Sequence, residues 1–569
     1  MLLTRLFPLV VFLAIPFVAN ADEAGVAIDS AVQREDDTTL ARRNTPEDPT
    51  DAMRDLQSNG VRNQSAAFGR WGNQPGRYST WNNHSNRLIP VYTFGMSLGS
   101  WREAGSPYAS NLRLETLYGE VPPQTLDTEA TYYDQTQVHD LMQLAIRNGK
   151  RHVIVFVFDG MDWQTTRAAA IYHTGRDQYN SGRGSGLSFQ DYRKTVTDFA
   201  FVVTSPAAGG AKPDIDSQTI QPRNEITGGF NAQRAGPMPW QEPTESRYPI
   251  GLDRELRHEV TDSAASATSL FAGIKTYNGA INVDVTGKHV EPIARELQAN
   301  GFRVGIVTSV PVSHATPASA YANNVTRKDY QDISRDMIGV PSSSHRSSPL
   351  PGLDVVLGGG FGEGSGKPDL QGQNFLAGNT YLHESDVEHA KDRYVFATRI
   401  KGRTGVDVLH EATQTAIESG KRLLGLFGVK GGHLPFRTAD GDYQPTFDVR
   451  GAEQYSEADL SENPTLAEMT ESALAVLSAP ATTDDQDVSP AQASRFWLLV
   501  EAGDVDWANH ANNIDNSIGA VISGADAFTA ATDWVEAADA WDDTLIIVTS
   551  DHGHFLVLED TSIIANATQ

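Results

Sequence analysis

Short apolar runs punctuate the chain from residue 151 onward. Those at 153–158, 302–307, 496–500 and 545–548 are rich in Val, Ile, Leu and Phe, and each breaks off into polar, charged or glycine residues. Runs of this length without strict alternation fit strands buried on both faces. Between them the period changes. Ile518, Val521, Ile522, Ala525, Phe528 and Val535 fall at three-, four- and seven-residue steps, which puts an apolar stripe on a helix just ahead of the last run. Leu466, Met469, Ala473 and Val476 mark a second helix ahead of the third run. Strands alternating with helices predict an α/β fold with a central, largely parallel sheet flanked by helices on both faces.

Elsewhere the pattern weakens. Residues 22–149 read as a polar leader and N-terminal extension, because stretches such as 33–50 are rich in Asp, Arg, Asn and Thr with few apolar runs. The main folded domain is expected over 150–569. Within it, 163–250 and 341–401 carry much Gly, Ser, Asn and Pro and read as surface insertions that shape a site mouth or simply add loop length. Residues 1–21 combine Arg5, an apolar stretch at 6–18 and the ending Ala19-Asn20-Ala21, which predicts a cleaved export signal and a periplasmic or secreted protein. That stretch contains Pro8 and Pro16 and falls short of the roughly 20 residues that span a bilayer. No other segment is long and apolar enough, so no membrane association is expected once the signal is removed.

Composition narrows the chemistry. A hydrophobic content of 39% supports a folded core, and the absence of cysteine excludes disulfides, thiolate metal ligands and a cysteine nucleophile. The formal net charge of −27 argues against nucleic acid as a partner, since phosphate backbones need a basic stripe, and fits a well-solvated surface.

Ligands in parallel α/β sheets bind beyond the carboxyl ends of the strands. Each of the four runs ends near candidate ligands: Asp159 after the first, His314 and Thr316 after the second, Glu501 after the third, and Asp551-His552 after the fourth. Segment 260–268 sets Ser263 before a run of small, helix-tolerant residues. A helix start there favours a phosphoryl group on Ser263, and it equally fits an N-cap made by Asp262 or Ser263. A serine hydroxyl is a weak nucleophile, and a metal ion is one remedy. Glu501, Asp506 and His510 offer two carboxylates and an imidazole within ten residues, with Asp506 and His510 on one face if the turn is helical. Imidazole with carboxylate suits zinc, and carboxylate with hydroxyl suits magnesium. Read alone, the same stretch also fits a solvated acidic loop.

Taken together, these segments resemble the alkaline phosphatase family in order and spacing, over about residues 150–555. Segment 260–268 is similar to the family's signature around its phosphorylated serine, which implies Ser263 as nucleophile. Phe158-Asp159-Gly160-Met161 resembles the first metal segment, so Asp159 is expected to bridge a zinc and the magnesium. His314-Ala315-Thr316-Pro317 resembles the magnesium segment, with Thr316 as ligand and His314 in or next to the ligand shell. Arg327 stands where the family keeps its phosphate-gripping arginine. The resemblance further implies Glu501 for magnesium, Asp506 and His510 for the first zinc, and Asp551 and His552 for the second.

The implied activity is hydrolysis of phosphate monoesters of many alcohols through a covalent phosphoserine, with two zinc ions and one magnesium ion, small phosphate monoesters as partners and a homodimer as assembly. Alternatives on the same fold are a phosphodiesterase, or a shortened, inactive form that binds metal or phosphate. His314 replaces the aspartate of some members, and Trp507 the lysine or histidine of others. A graver departure concerns the first zinc, for which the family supplies one more histidine well downstream of the Asp-His pair. Here the reading expects a catalytic domain lacking its C-terminal end, with His554, His433 or another group as the candidate stand-ins.

Overall fold

A computed structural model describes residues 51–72, 84–208, 211–221, 225–252, 258–362, 367–444, 446, 453–480 and 494–567. The expected export signal lies outside these residues. Among them, ten strands form one sheet: β1 (Ile89–Phe94), β2 (Tyr133–Asp134), β3 (His152–Phe158), β4 (Thr197–Val203), β5 (Arg303–Pro311), β6 (Val355–Gly359), β7 (Tyr394–Thr398), β8 (Arg422–Phe427), β9 (Phe496–Ala502) and β10 (Thr544–Thr549). Their spatial order is β7-β8-β6-β5-β9-β3-β10-β1-β4-β2. From β7 through β10 every neighbouring pair is parallel, and β1 alone runs against both of its neighbours.

The central strand β3 shows why the apolar runs lack alternation. Ile154, Phe156 and Phe158 enter one core with Met469, Leu474, Val521 and Phe528, whereas Val153, Val155 and Val157 enter a second core with Leu141, Leu270 and Phe271. Six helices matter for the site: α1 (Ala52–Asn63), α2 (Thr136–Arg147), α3 (Ser263–Ala272), α4 (Leu466–Ser478), α5 (Asp504–His510) and α6 (Ile514–Ala537). The apolar stripes of α4 and α6 cover one face of the sheet, and α2 and α3 cover the other. The expected α/β architecture, with helices on both faces, is therefore the observed one. No helix among the described residues is long and apolar enough to cross a membrane.

Three expectations about organisation are corrected. The compact body does not begin at residue 150, because β1 pairs with β10 on one side and β4 on the other. Pro90 is tolerated in β1 because the ladder to β10 covers only Val91–Phe94, so no partner there needs its missing N–H. The supposed insertion at 163–250 contributes β4, and that at 341–401 contributes β6 and β7. β4 and β6 pair with strands far away in the chain, whereas β7 pairs only with β8, the strand that follows it.

Candidate active site

The strand ends converge as the parallel topology requires. Asp159 follows β3, Glu501 is the last residue but one of β9, and Asp551-His552 follow β10. β3 is the immediate neighbour of both β9 and β10, so these groups meet at one edge of the sheet. Gly160 sharpens the bend after Asp159. Its φ is +73°, its N–H donates to Asp551 Oδ1 at 2.9 Å, and an added Cβ would come within 2.7 Å of the His554 ring.

At 262–263 the capping falls to the aspartate. Asp262 is the N-cap of α3: its Oδ1 accepts from Ala265 N at 3.0 Å, while its Oδ2 accepts from Gly279 N at 3.0 Å and Arg327 Nη1 at 3.1 Å. Ser263 is the first helical residue, and its hydroxyl is left free of the cap. Ser263 Oγ lies 3.2 Å from His552 Nε2 and 3.5 Å from Asp159 Oδ1. One turn along the same face of the helix, Ser266 Oγ donates to the Asp551 carbonyl at 2.5 Å, and Gln135 Nε2 donates to both at 2.6 and 2.8 Å. These bonds fix α3 against the end of β10.

Two triangles of donor atoms have metal spacing. Tetrahedral ligands about 2.0–2.1 Å from a zinc ion sit about 3.3–3.4 Å apart. His552 Nε2 is 3.4 Å from Asp159 Oδ1 and 3.5 Å from Asp551 Oδ2, which with Ser263 Oγ makes one such set. The other joins His84, Asp506 and His510: His84 Nε2 is 3.0 Å from His510 Nε2 and 3.6 Å from Asp506 Oδ1, and His510 Nε2 is 3.4 Å from Asp506 Oδ1. His554 joins them through a 2.6 Å bond from its Nε2 to Asp506 Oδ1. Next to Asp551, whose Oδ2 belongs to the first set, the buried side chains of Glu501 and Thr316 face each other, and neither Glu501 Oε1 nor Thr316 Oγ1 makes a hydrogen bond of ordinary geometry. The other Glu501 oxygen accepts from Thr308. An all-oxygen donor set of this kind suits a hard cation.

Electrostatics point the same way. Burial, then the neighbouring Asp551, Asp506 and Glu501 charges, drives the Asp159 carboxyl well above its usual range. Burial pushes Glu501 up to about 8 and also raises Asp551. Burial works against Asp506 as well, yet His510, His554 and His84 around it pull its carboxyl well below the usual range. Burial lowers His510, His552 and His554, which favours the neutral form in which an imidazole can accept a cation. Crowded carboxylates among neutral imidazoles gain most from a bound cation.

Most of the expected site residues therefore meet: Asp159, Ser263, Thr316, Glu501, Asp506, His510, Asp551 and His552. Arg327 reaches the site through Asp262. His314 belongs to neither triangle. Its ring lies parallel to Tyr330 at 6.0 Å and 5.3 Å from Trp507, and burial drops its pKa to about 3. His433 stacks on Phe436 at 4.0 Å and pairs with Glu453 at 3.3 Å, so it is no stand-in. His84 carried no signal in the sequence. It reaches the site because Ser85 forms a β-bridge to Gly553, between His552 and His554, with Ser85 N donating to Gly553 O at 2.9 Å.

The chain is similar to several known proteins. The alkaline phosphatase family model matches residues 244–566. The alkaline phosphatase of Escherichia coli K12 is 30% identical over 365 residues, covering 60% of this chain and 68% of that protein. Alkaline phosphatase 4 of Bacillus subtilis is 29% identical over 304 residues, covering 52% of this chain and 50% of its own length. The chain thus spans about half the length of that Bacillus relative. Among solved structures, a cold-active alkaline phosphatase from a psychrophilic Shewanella aligns at 23% identity and a TM-score of 0.40, over 71% of this chain and 68% of that one. On the family-model match and the Escherichia coli relative, this chain belongs to the alkaline phosphatase family.

Proposed function

We propose that this chain hydrolyses phosphate monoesters by passing the phosphoryl group through Ser263, with two zinc ions and one magnesium ion as cofactors. The observation that carries this reading is the position of Ser263 Oγ, 3.2 Å from His552 Nε2 and 3.5 Å from Asp159 Oδ1, at the start of a helix. His84, Asp506 and His510 would hold one zinc. Asp159, Asp551 and His552 would hold the other beside Ser263, and Asp159, Glu501 and Thr316 the magnesium, with His314 near it by family resemblance. Bound cations of this kind make a hydroxyl or a water nucleophilic near neutral pH and neutralise charge on a leaving oxygen.

The chain's own groups supply orientation. Arg327, partly buried and held by Asp262, presents a planar guanidinium that grips two nonbridging phosphoryl oxygens at once. The N-terminal amides of α3 favour the same negative charge. Ser263 Oγ bonds to phosphorus as the ester oxygen leaves with its electron pair and gains a proton. Water then attacks the phosphorus of phosphoserine, the P–Oγ bond breaks, and the serine hydroxyl is restored as phosphate departs. Every one of these contacts reads the phosphoryl group, so the alcohol is free to vary. The pattern at 1–21 supports action outside the cytoplasm.

Turnover of an aryl phosphate monoester and the corresponding diester, by zinc- and magnesium-loaded wild type and Ser263→Ala, tests the proposal. Monoester turnover that disappears in the variant with metal content unchanged is the expected result. Faster turnover of the diester, or equal turnover by both proteins, would contradict it.

A further inference from the structure

Away from the active site, a second group of carboxylates gathers where α1 meets α6. Asp51 caps α1, Asp440 and Asp442 stand in the loop following Thr438, and ligand atoms of all three lie within 4.8 Å of one another. Thr438 Oγ1 lies 3.0 Å from Asp440 Oδ1 and 3.0 Å from Asp442 Oδ1, which holds the two side by side. A cluster of acidic groups alone would be unremarkable on so acidic a protein. Two further oxygens change that. Asp515, in the first turn of α6 and 1% exposed, spends Oδ1 on Ala439 N at 2.9 Å, next to Asp440, and its Oδ2 is buried without a hydrogen bond. Asp51, 4% exposed, likewise spends Oδ1 on Arg54 N at 2.9 Å and leaves Oδ2 buried without one. Each of these carboxylates feels the charge of Asp440 and Asp442.

We propose that Asp51, Asp440 and Asp442 bind a hard divalent cation of calcium's size, with Asp515 behind them holding the loop through Ala439 N, and that this ion clamps α1 to the 438–444 loop at the start of α6. The donors are all oxygen, with no imidazole, which separates this set from the histidine-rich active centre and disfavours zinc. Carboxylates from two separate segments, able to bind through one or both oxygens, suit the irregular six- to eight-fold shell of calcium better than the strict octahedron of magnesium. The site shares no residue with the active centre. Its role is to tie the segment leading to β1, and so to His84, onto the catalytic body.

The test uses the full chain loaded with zinc and magnesium. Terbium(III) serves as a luminescent calcium probe, excited through Tyr443, which neighbours Asp442 in sequence. Wild type is expected to bind one terbium ion that calcium displaces, and calcium is expected to raise its melting temperature. In Asp440→Asn/Asp442→Asn, whose positions lie in a surface loop, the affinity for terbium and calcium should fall at least about tenfold, with zinc content and calcium-free turnover unchanged. Asp515→Asn, which alters the support behind the loop while keeping its shape, should reduce the calcium-induced melting shift and remain folded. Equal terbium emission and equal calcium-induced melting shifts in wild type and the double variant would overturn the proposal, as would the absence of any calcium-dependent shift in wild type.

Discussion

Replacing His84 with alanine is the perturbation that most sharply separates this structure from the family pattern. The His84–Asp506–His510 triangle has edges of 3.0, 3.6 and 3.4 Å, close to the 3.3–3.4 Å of a tetrahedral zinc shell, so the ligands are already in place. Removing groups that only orient a ligand costs roughly 10- to 100-fold in metal affinity, and a direct ligand should cost at least the upper figure. His84→Ala is therefore expected to weaken one of the two proposed zinc sites by about 100-fold or more, or about 2.7 kcal/mol. His554→Ala, which removes a bond to Asp506 Oδ1, should fall within the smaller range. Competition of the metal-free protein against a chromophoric chelator measures both. Cobalt substitution supplies a second readout, because loss of a nitrogen ligand shifts the visible absorption bands. Wild-type affinity for both zinc equivalents, with an unchanged cobalt spectrum in His84→Ala, would refute the assignment.

Other consequences are testable separately. Arg327→Ala should raise KM for aryl phosphates and weaken inhibition by inorganic phosphate by about 10- to 100-fold, and Arg327→Lys should recover only part of the loss because it cannot grip two oxygens. Lys275 and Asp134 form a fully buried pair at 3.0 Å that joins the end of α3 to the start of α2, so Lys275→Met should cost about 3–5 kcal/mol in urea unfolding by stranding the carboxylate. Asp198 resists burial through Arg102 and the Leu98 and Phe199 amides, which together bring its carboxyl down to about 2. A depressed carboxyl stabilises the fold above its unfolded value of about 3.9 and loses that contribution as pH falls toward 2, so Asp198→Asn should cost about 1 kcal/mol at pH 7 and flatten acid unfolding over that window.

The parts of the site legible in the sequence are those carried by strands buried on both faces. Asp159, Glu501 and Asp551-His552 stood out because an uninterrupted apolar run followed by a polar break is what a central parallel strand must look like. Asp506 and His510 were legible as a helical pair, and α5 bears this out. His84 was not, because its place depends on the antiparallel strand β1 slotting between β10 and β4, strands more than 100 residues away in the chain. Nothing local in Ile89–Phe94, with a proline at its second position, distinguishes it from a loop. Val355–Gly359 was hidden for a related reason: its two glycines pack against Thr308, Val310 and Gly432, so the feature that suggested a loop is what close packing in the sheet requires. The calcium-type cluster escaped because Asp51, Asp440, Asp442 and Asp515 come from three distant segments of an evenly acidic chain.

The central claim is that Ser263 itself carries the phosphoryl group. Acid quenching of the zinc- and magnesium-loaded protein during turnover of an aryl phosphate, followed by mass spectrometry of the peptide containing residues 260–268, tests it directly. The account predicts that this peptide gains the mass of one phosphoryl group, located at Ser263, and that Ser263→Ala gains none. Steady turnover with no phosphorylated peptide in wild type, or with phosphate on another residue, would contradict it.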